Sequence, residues 1–182
     1  YLNYLKKKHK KKITFLKLNL RNLDKTTSII KNFKPDVIFH FASNADVRKS
    51  FDSPVDVCKN NNEITLNLLE ATRKLKMSPL IIICSSSEVY GNVALKDQPI
   101  SEKNYLSPIN PYAVSKTFQD LLAQVYKKVY GSKIIITRMF SYTNARRRNL
   151  FQTSFAKQIV DIENGKQKYL IHGNLQSKRT FM

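Results

Sequence analysis

The chain has 182 residues, 42% of them hydrophobic, which suits one folded domain with a real core and excludes a disordered chain. Its formal net charge is +19, yet the dense basic runs, Lys6 to Lys12 and Arg146-Arg147-Arg148, come with no helix-turn-helix, zinc-finger or ribonucleoprotein signature, so no nucleic-acid partner is expected and the charge is read as suited to small anionic ligands. No stretch approaches the roughly 18 consecutive apolar residues of a membrane span, so no membrane partner is expected either.

The opening residues lack an initiator Met and show no apolar run with a cleavage site behind the charges, so the sequence reads as the middle of a longer chain. Ile13 to Leu18 is a predicted strand. Leu23 to Phe33 is a predicted helix, broken at Lys34-Pro35. The apolar run Asp36 to Phe41 predicts a buried strand. Val55 to Lys76 predicts a long helix whose apolar stripe is Val57, Ile64, Leu68, Leu69 and Leu75. Leu80 to Ser85 is the next buried strand. Pro111 to Tyr130 is a helix with Val114, Phe118, Leu121, Leu122, Val125 and Val129 on one side, ended by Gly131. A strand at Ile134 to Met139, a helix at Phe151 to Glu163 and a short strand at Lys168 to His172 complete the pattern.

Ile- and Val-rich strands alternating with helices imply an α/β fold built on a doubly wound parallel sheet, with strands near 13–18, 36–41, 80–85 and 134–139. Ligands of such sheets bind beyond the carboxyl ends of the strands. The polar tips Phe41-Ala42-Ser43-Asn44, Ser85-Ser86-Ser87-Glu88 and Phe140-Ser141-Tyr142-Thr143 are therefore the places to look. The cysteines, Cys58 and Cys84, lack metal-ligand spacing and do not suggest a disulfide framework; a reducing cytoplasm is expected.

Tyr112 and Lys116 lie four apart at the start of a predicted helix, one turn apart on one face. An ammonium beside a phenol favours the phenolate and makes it a usable base. Alone, this pair is as consistent with a solvated helix face. Ser86 and Glu88, at a strand tip, add a hydroxyl and a carboxylate that can take or give a proton, although serines there also serve as turn or cap residues.

In order, DVIFHFA at 36–42, NNEITLNLLEA at 61–71, SSSEVYG at 85–91 and PINPYAVSK at 108–116 resemble the extended short-chain dehydrogenase/reductase family of nucleotide-sugar epimerases, dehydratases and reductases. The likeness runs from about residue 16 to 179. Ser86-Ser87-Glu88 most resembles the dehydratase branch, where GDP-mannose 4,6-dehydratases read Thr-Ser-Glu. Arg146-Arg147 and Gly173-Asn174-Leu175 followed by Arg179 are similar to that branch too, whereas Phe155 to Ile159 looks as much like a reductase. Two positions depart: Ser141 stands where the family has Asn, and Asn19 where it has the Asp facing adenine. The glycines, Gly91, Gly131, Gly165 and Gly173, form no phosphate-binding loop, so that loop is expected upstream of Tyr1, and residues 1–182 alone are expected to be inactive.

The resemblance implies a Rossmann-like NAD(P)-binding unit over 1–145, incomplete at its start, and the beginning of a nucleotide-sugar-binding portion over 146–182. It implies NAD or NADP held by Asn19, Leu20, Phe41, Ala42, Ser43, Tyr112 and Lys116, and catalysis by Ser86, Glu88, Tyr112 and Lys116. A nucleotide sugar would be held by Ser87, Ser141, Asn144, Arg147 and Arg179. Tyr112 would deprotonate the hydroxyl at sugar carbon 4, and Glu88 would serve the elimination across carbons 5 and 6. A homo-oligomer is implied for the full-length protein. A 4-epimerase or 4-reductase of the same family, or a non-catalytic binding protein with this fold, remain as alternatives.

Overall fold

The computed structural model describes residues 13–144 and 150–176. Helix α1 (Leu23–Phe33) begins where the Asn22 side chain accepts a hydrogen bond from the Lys25 amide, and ends at Lys34, which adopts a left-handed conformation (φ 43°). Strand β1 (Val37–His40) follows. A short helix, α2 (Val47–Asp52), is capped by Asp46 and was not foreseen from the sequence. Helix α3 (Pro54–Lys74) starts with Pro at its first turn, where a missing amide proton costs nothing. Strand β2 (Leu80–Cys84) leads into a 3-10 turn, Ser87–Tyr90. Helix α4 (Pro111–Tyr130) is capped by Asn110 and closed by Gly131 at φ 66°. A second 3-10 turn, Leu95–Asp97, lies before α4, and strand β3 (Ile134–Thr137) and helix α5 (Phe151–Glu163) follow it.

The three strands are all parallel in the order β1-β2-β3, with Val37 opposite Leu80 and Ile81 opposite Ile134. Each crossover is helical, as parallel pairing requires. Ile30 of α1, Leu68 and Leu69 of α3, and Ala123 and Tyr126 of α4 pack on Ile81, Ile83 and Ile134 to form one core.

Three expectations need correction. Ile13 to Leu18 forms no strand, because a strand exists only with a hydrogen-bonded neighbour and none pairs with it among the described residues. Lys168 to His172 forms none either; there Ile171 is tied instead to the α5 side chain of Gln158, whose Oε1 accepts from the Ile171 amide at 2.7 Å. The strands are not greasy on both sides throughout. Phe39 stays 59% exposed and Ile135 49%, since alternate residues face away from the helices that share the core.

Candidate active site

The tip of β2 is shaped by its own serines. Ser86 is buried and extended, and its Oγ accepts from the Glu88 amide at 3.2 Å, capping the 3-10 turn. The Ser85 and Ser87 amides donate to Thr137 O (2.8 Å) and Met139 O (2.9 Å), which fixes the turn against β3 and the residues just beyond it. Behind the turn, Ser107 N donates to Val89 O at 2.9 Å. Gly91, at φ 63°, passes so close to Ser107 that a Cβ there would lie 1.9 Å from its carbonyl oxygen, so no other residue fits without displacement.

One carboxamide joins this turn to α4. Asn110 Nδ2 donates to Glu88 Oε2 at 3.1 Å, and Asn110 Oδ1 accepts from the Ala113 amide at 2.8 Å as the helix cap. Tyr112 and Lys116, both buried, occupy the first turns of that helix. Lys116 Nζ donates to Cys84 O at the end of β2 and to Gln119 Oε1 at 2.7 Å. Burial pushes the Lys116 ammonium down to about 8, against the opposing pull of Cys84 and Asp120.

The tip of β1 is tied to the same helix through α3. The Asn61 side chain accepts from the Asn44 amide (2.7 Å), donates to Asn44 O (3.2 Å) and donates to Ser115 Oγ (2.9 Å). Ser115 Oγ in turn donates to Tyr112 O at 2.7 Å. Deeper in, His40 Nε2 lies 2.9 Å from Thr65 Oγ1, and Gln119 Nε2 donates to Thr65 Oγ1 and to Asn61 O (2.8 Å). Burial first, and the Lys116 charge second, hold the His40 imidazole down at about 4. Beside this network, Arg138 grips the buried Asp120 carboxylate through Nε (2.9 Å) and Nη2 (3.1 Å). Burial raises the Asp120 carboxyl, but the Arg138 and Gln124 hydrogen bonds outweigh it and the net shift is downward.

Of the residues singled out from sequence, Ser86, Glu88, Tyr112 and Lys116 lie on two elements joined by Asn110 and by the Lys116 contact with Cys84. Phe41 and Ala42 are exposed beyond β1, and the Ser43 hydroxyl is buried with no hydrogen-bond partner among the described residues. Asn19 and Leu20 form the turn before α1, with Asn19 Oδ1 accepting from the Arg21 amide (3.1 Å) and Leu20 O accepting from Asn67 of α3 (3.0 Å). Ser87, Ser141 and Asn144 are half-buried, the last two beyond β3. Arg147 and Arg179 lie outside the described residues.

Sequence reading passed over Asn61, Thr65, Asn110, Ser115 and Gln119 as functional residues. A usable signal existed: Asn61 and Thr65, and Ser115 and Gln119, recur at helical spacing on the faces of α3 and α4 that hold Val57, Tyr112 and Lys116.

The whole chain, residues 1–182, matches the protein family described as GDP-mannose 4,6 dehydratase. It is 31% identical to the GDP-6-deoxy-D-mannose reductase of Pseudomonas aeruginosa over 81% of this chain and 49% of that protein. It is 29% identical to the GDP-mannose 4,6-dehydratase of Vibrio cholerae over 88% of this chain and 44% of that one. The structure of RMD from Pseudomonas aeruginosa complexed with NADPH superposes with a TM-score of 0.78 at 29% identity, covering 84% of this chain and 52% of that one. The chain thus spans about half the length of the relatives it matches. With its parallel α/β fold, the chain belongs to the GDP-mannose 4,6-dehydratase family, among nucleotide-sugar dehydratases, epimerases and reductases.

Proposed function

We propose that the full-length protein is a nucleotide-sugar 4,6-dehydratase, an NAD(P)-dependent hydro-lyase, and that it converts GDP-mannose to the 4-keto-6-deoxy sugar. The observation that carries this reading is Glu88, tethered through Asn110 to the first turn of the helix bearing Tyr112 and Lys116. A carboxylate held beside a Tyr–Lys pair offers a second acid–base group, which elimination needs and simple carbonyl reduction does not.

The residues present fit a nicotinamide dinucleotide. The buried Ser43 hydroxyl lacks a partner among the described residues and would gain one from the cofactor. Lys116 has three donors and spends two on Cys84 and Gln119, leaving one for a ribose hydroxyl. Phe41 and Ala42 at the tip of β1, and Asn19 and Leu20 before α1, would line the same edge. Bound NAD or NADP would supply hydride acceptance from sugar carbon 4 and hydride return to carbon 6.

The chain's own residues handle protons. Tyr112 takes the proton of the carbon 4 hydroxyl, with the Lys116 charge stabilising the phenolate and Ser86 hydrogen-bonding the same oxygen. The resulting ketone acidifies the carbon 5 hydrogen. Glu88 removes that proton and protonates the departing carbon 6 hydroxyl, which leaves as water. The proton held by Tyr112 then serves to reprotonate carbon 5, so the protons balance. Ser87, Ser141, Asn144, Arg147 and Arg179 would hold the nucleotide sugar, in a unit beginning near residue 146 after the cofactor-binding unit over 1–145.

Outward-facing Val114, Leu121, Val125 and Val129 of α4 support a homo-oligomer. No helix among the described residues is long and apolar enough to cross a membrane. Both cysteines are free thiols, which supports a reducing, cytoplasmic setting.

The test is Glu88→Gln in the full-length protein with GDP-mannose. An amide keeps the shape of the carboxylate but transfers no proton, so formation of the 4-keto-6-deoxy product should fall by about a hundredfold or more while cofactor binding persists. Product at near wild-type rate would remove the main support for elimination. The second reading, a reductase acting through Tyr112 and Lys116, is favoured by the 31% identity to the Pseudomonas aeruginosa reductase and would then move ahead.

A further inference from the structure

We propose that Gln119 is a positioning residue that sets the place and the charge state of the Lys116 ammonium, coupling it to α3 and to His40. The proposal rests on reading Tyr112 and Lys116 as the acid–base pair. Gln119 is fully buried, one turn below Lys116 on the inward face of α4. An uncharged amide at this depth is kept only if each of its ends is hydrogen-bonded.

Both ends are engaged, and only one orientation works. Oε1 accepts from Lys116 Nζ at 2.7 Å, while Nε2 donates to Asn61 O at 2.8 Å and to Thr65 Oγ1 at 2.5 Å. Turning the amide over would set its NH2 against an ammonium and its oxygen against the Asn61 carbonyl. Asn61 and Thr65 therefore dictate which end faces Lys116. The same Asn61 holds the tip of β1 through Asn44, and Thr65 contacts His40, so the ammonium is registered against β1, β2 and α3 together.

Of the groups near Lys116, Gln119 is the one neutral side-chain acceptor hydrogen-bonded to it among the described residues. From β1 comes His40, kept uncharged by burial; from β2, Cys84, whose carbonyl accepts from the ammonium; from the 3-10 turn, Glu88, engaged with Asn110. On α4 itself stand Tyr112 and Asp120, and the Asp120 carboxylate is occupied by Arg138 of the β3 segment. The α3 helix offers only the neutral Asn61 and Thr65. Cys84 and Asp120 favour the ammonium through space, but among the described residues its hydrogen bonds go to two carbonyl oxygens, one of them from Gln119.

The test follows Lys116 directly by NMR of full-length protein carrying ε-13C-lysine, with the signal assigned by its loss in Lys116→Arg. The wild-type midpoint is expected near 8. Gln119→Leu removes the acceptor at similar volume and should lower the midpoint by about one pH unit; Gln119→Glu adds a negative charge and should raise it by about one unit or more. A merely structural role predicts no such opposite displacement. Both midpoints within about 0.3 unit of wild type would overturn the proposal, whatever the substrate. If neither variant folds by circular dichroism, Thr65→Val releases one end of the amide; a lowered midpoint supports the coupling and an unmoved one overturns it. In parallel, the alkaline limb of the kcat profile with GDP-mannose should move with each midpoint. Midpoints that move while the limb stays put would keep Gln119 as the positioning residue and sink the acid–base role of Lys116.

Discussion

The inward face of α4 carries Tyr112, Ser115, Lys116, Gln119 and Asp120, all buried, whereas its outward face shows Val114, Leu121, Val125 and Val129, each about half exposed or more. On a surface helix the chemistry is ordinarily the other way round. The polar face can be buried because nearly every group on it has a partner. Lys116 meets two carbonyl oxygens, Asp120 meets Arg138, and Gln119 meets Lys116, Asn61 and Thr65. The apolar face has no such reason to be inside: from this helix Leu122, Ala123 and Tyr126 join the main core cluster, and Ala113 is buried near its start. Periodicity thus locates the two faces of a helix, while partners decide which of them is buried.

The comparison breaks most visibly if the inward face is not chemical. Tyr112→Phe in the full-length protein should lower the rate of hydride transfer by on the order of a thousandfold, about 4 kcal/mol, measured as reduced cofactor in single-turnover absorbance. Retained turnover would make the buried polar face merely structural. Asp120→Asn should cost about 3 kcal/mol of stability in urea unfolding, because Arg138 would keep its charge without its carboxylate; an unchanged midpoint would show that the pair is not buried in solution.

The His40 imidazole sharpens the contrast through pH. Its folded value, about 4, lies below the ordinary 6.5, so between these values the unfolded chain binds a proton that the folded one does not. Stability should therefore be full above pH ~6.5 and decline as pH falls toward 4, by at most about 3 kcal/mol from this group. His40→Gln should flatten that part of the profile in thermal unfolding monitored across pH. The outward face should respond least. Leu121→Glu is expected to change stability by no more than about 0.5 kcal/mol. The same change should dissociate the proposed homo-oligomer of the full-length protein in sedimentation; an assembly that survives would show that this face is not the contact.

Much of this arrangement could be read from the sequence because its signals are local. The runs at Val37–His40, Leu80–Cys84 and Ile134–Thr137 are continuous and apolar, and Asn110, Pro111 and Gly131 punctuate α4 at both ends. Tyr112 and Lys116 were visible for the same reason, being one helical turn apart. What escaped was long-range. Gln119 meets Asn61 across 58 positions and Asn110 meets Glu88 across 22, and no spacing rule announces either contact. Ile13 to Leu18 was misjudged for a related reason, since strand propensity describes a segment while a strand is a relation between two.

Gly91 and Ser107 pinch the chain together, the glycine's missing side chain leaving room for the Ser107 carbonyl. Residues 92–106 are drawn together at a neck next to the turn that holds Glu88, and their Glu102 carbonyl lies 3.4 Å from Nη1 of Arg138, the side chain that also grips Asp120. A loop closed at such a neck tolerates changes in length at its exposed tip, whereas its Glu102 stretch is tied to the Arg138–Asp120 pair. Variation confined to that tip would reshape the rim beside Glu88 and leave the pinched base as it is.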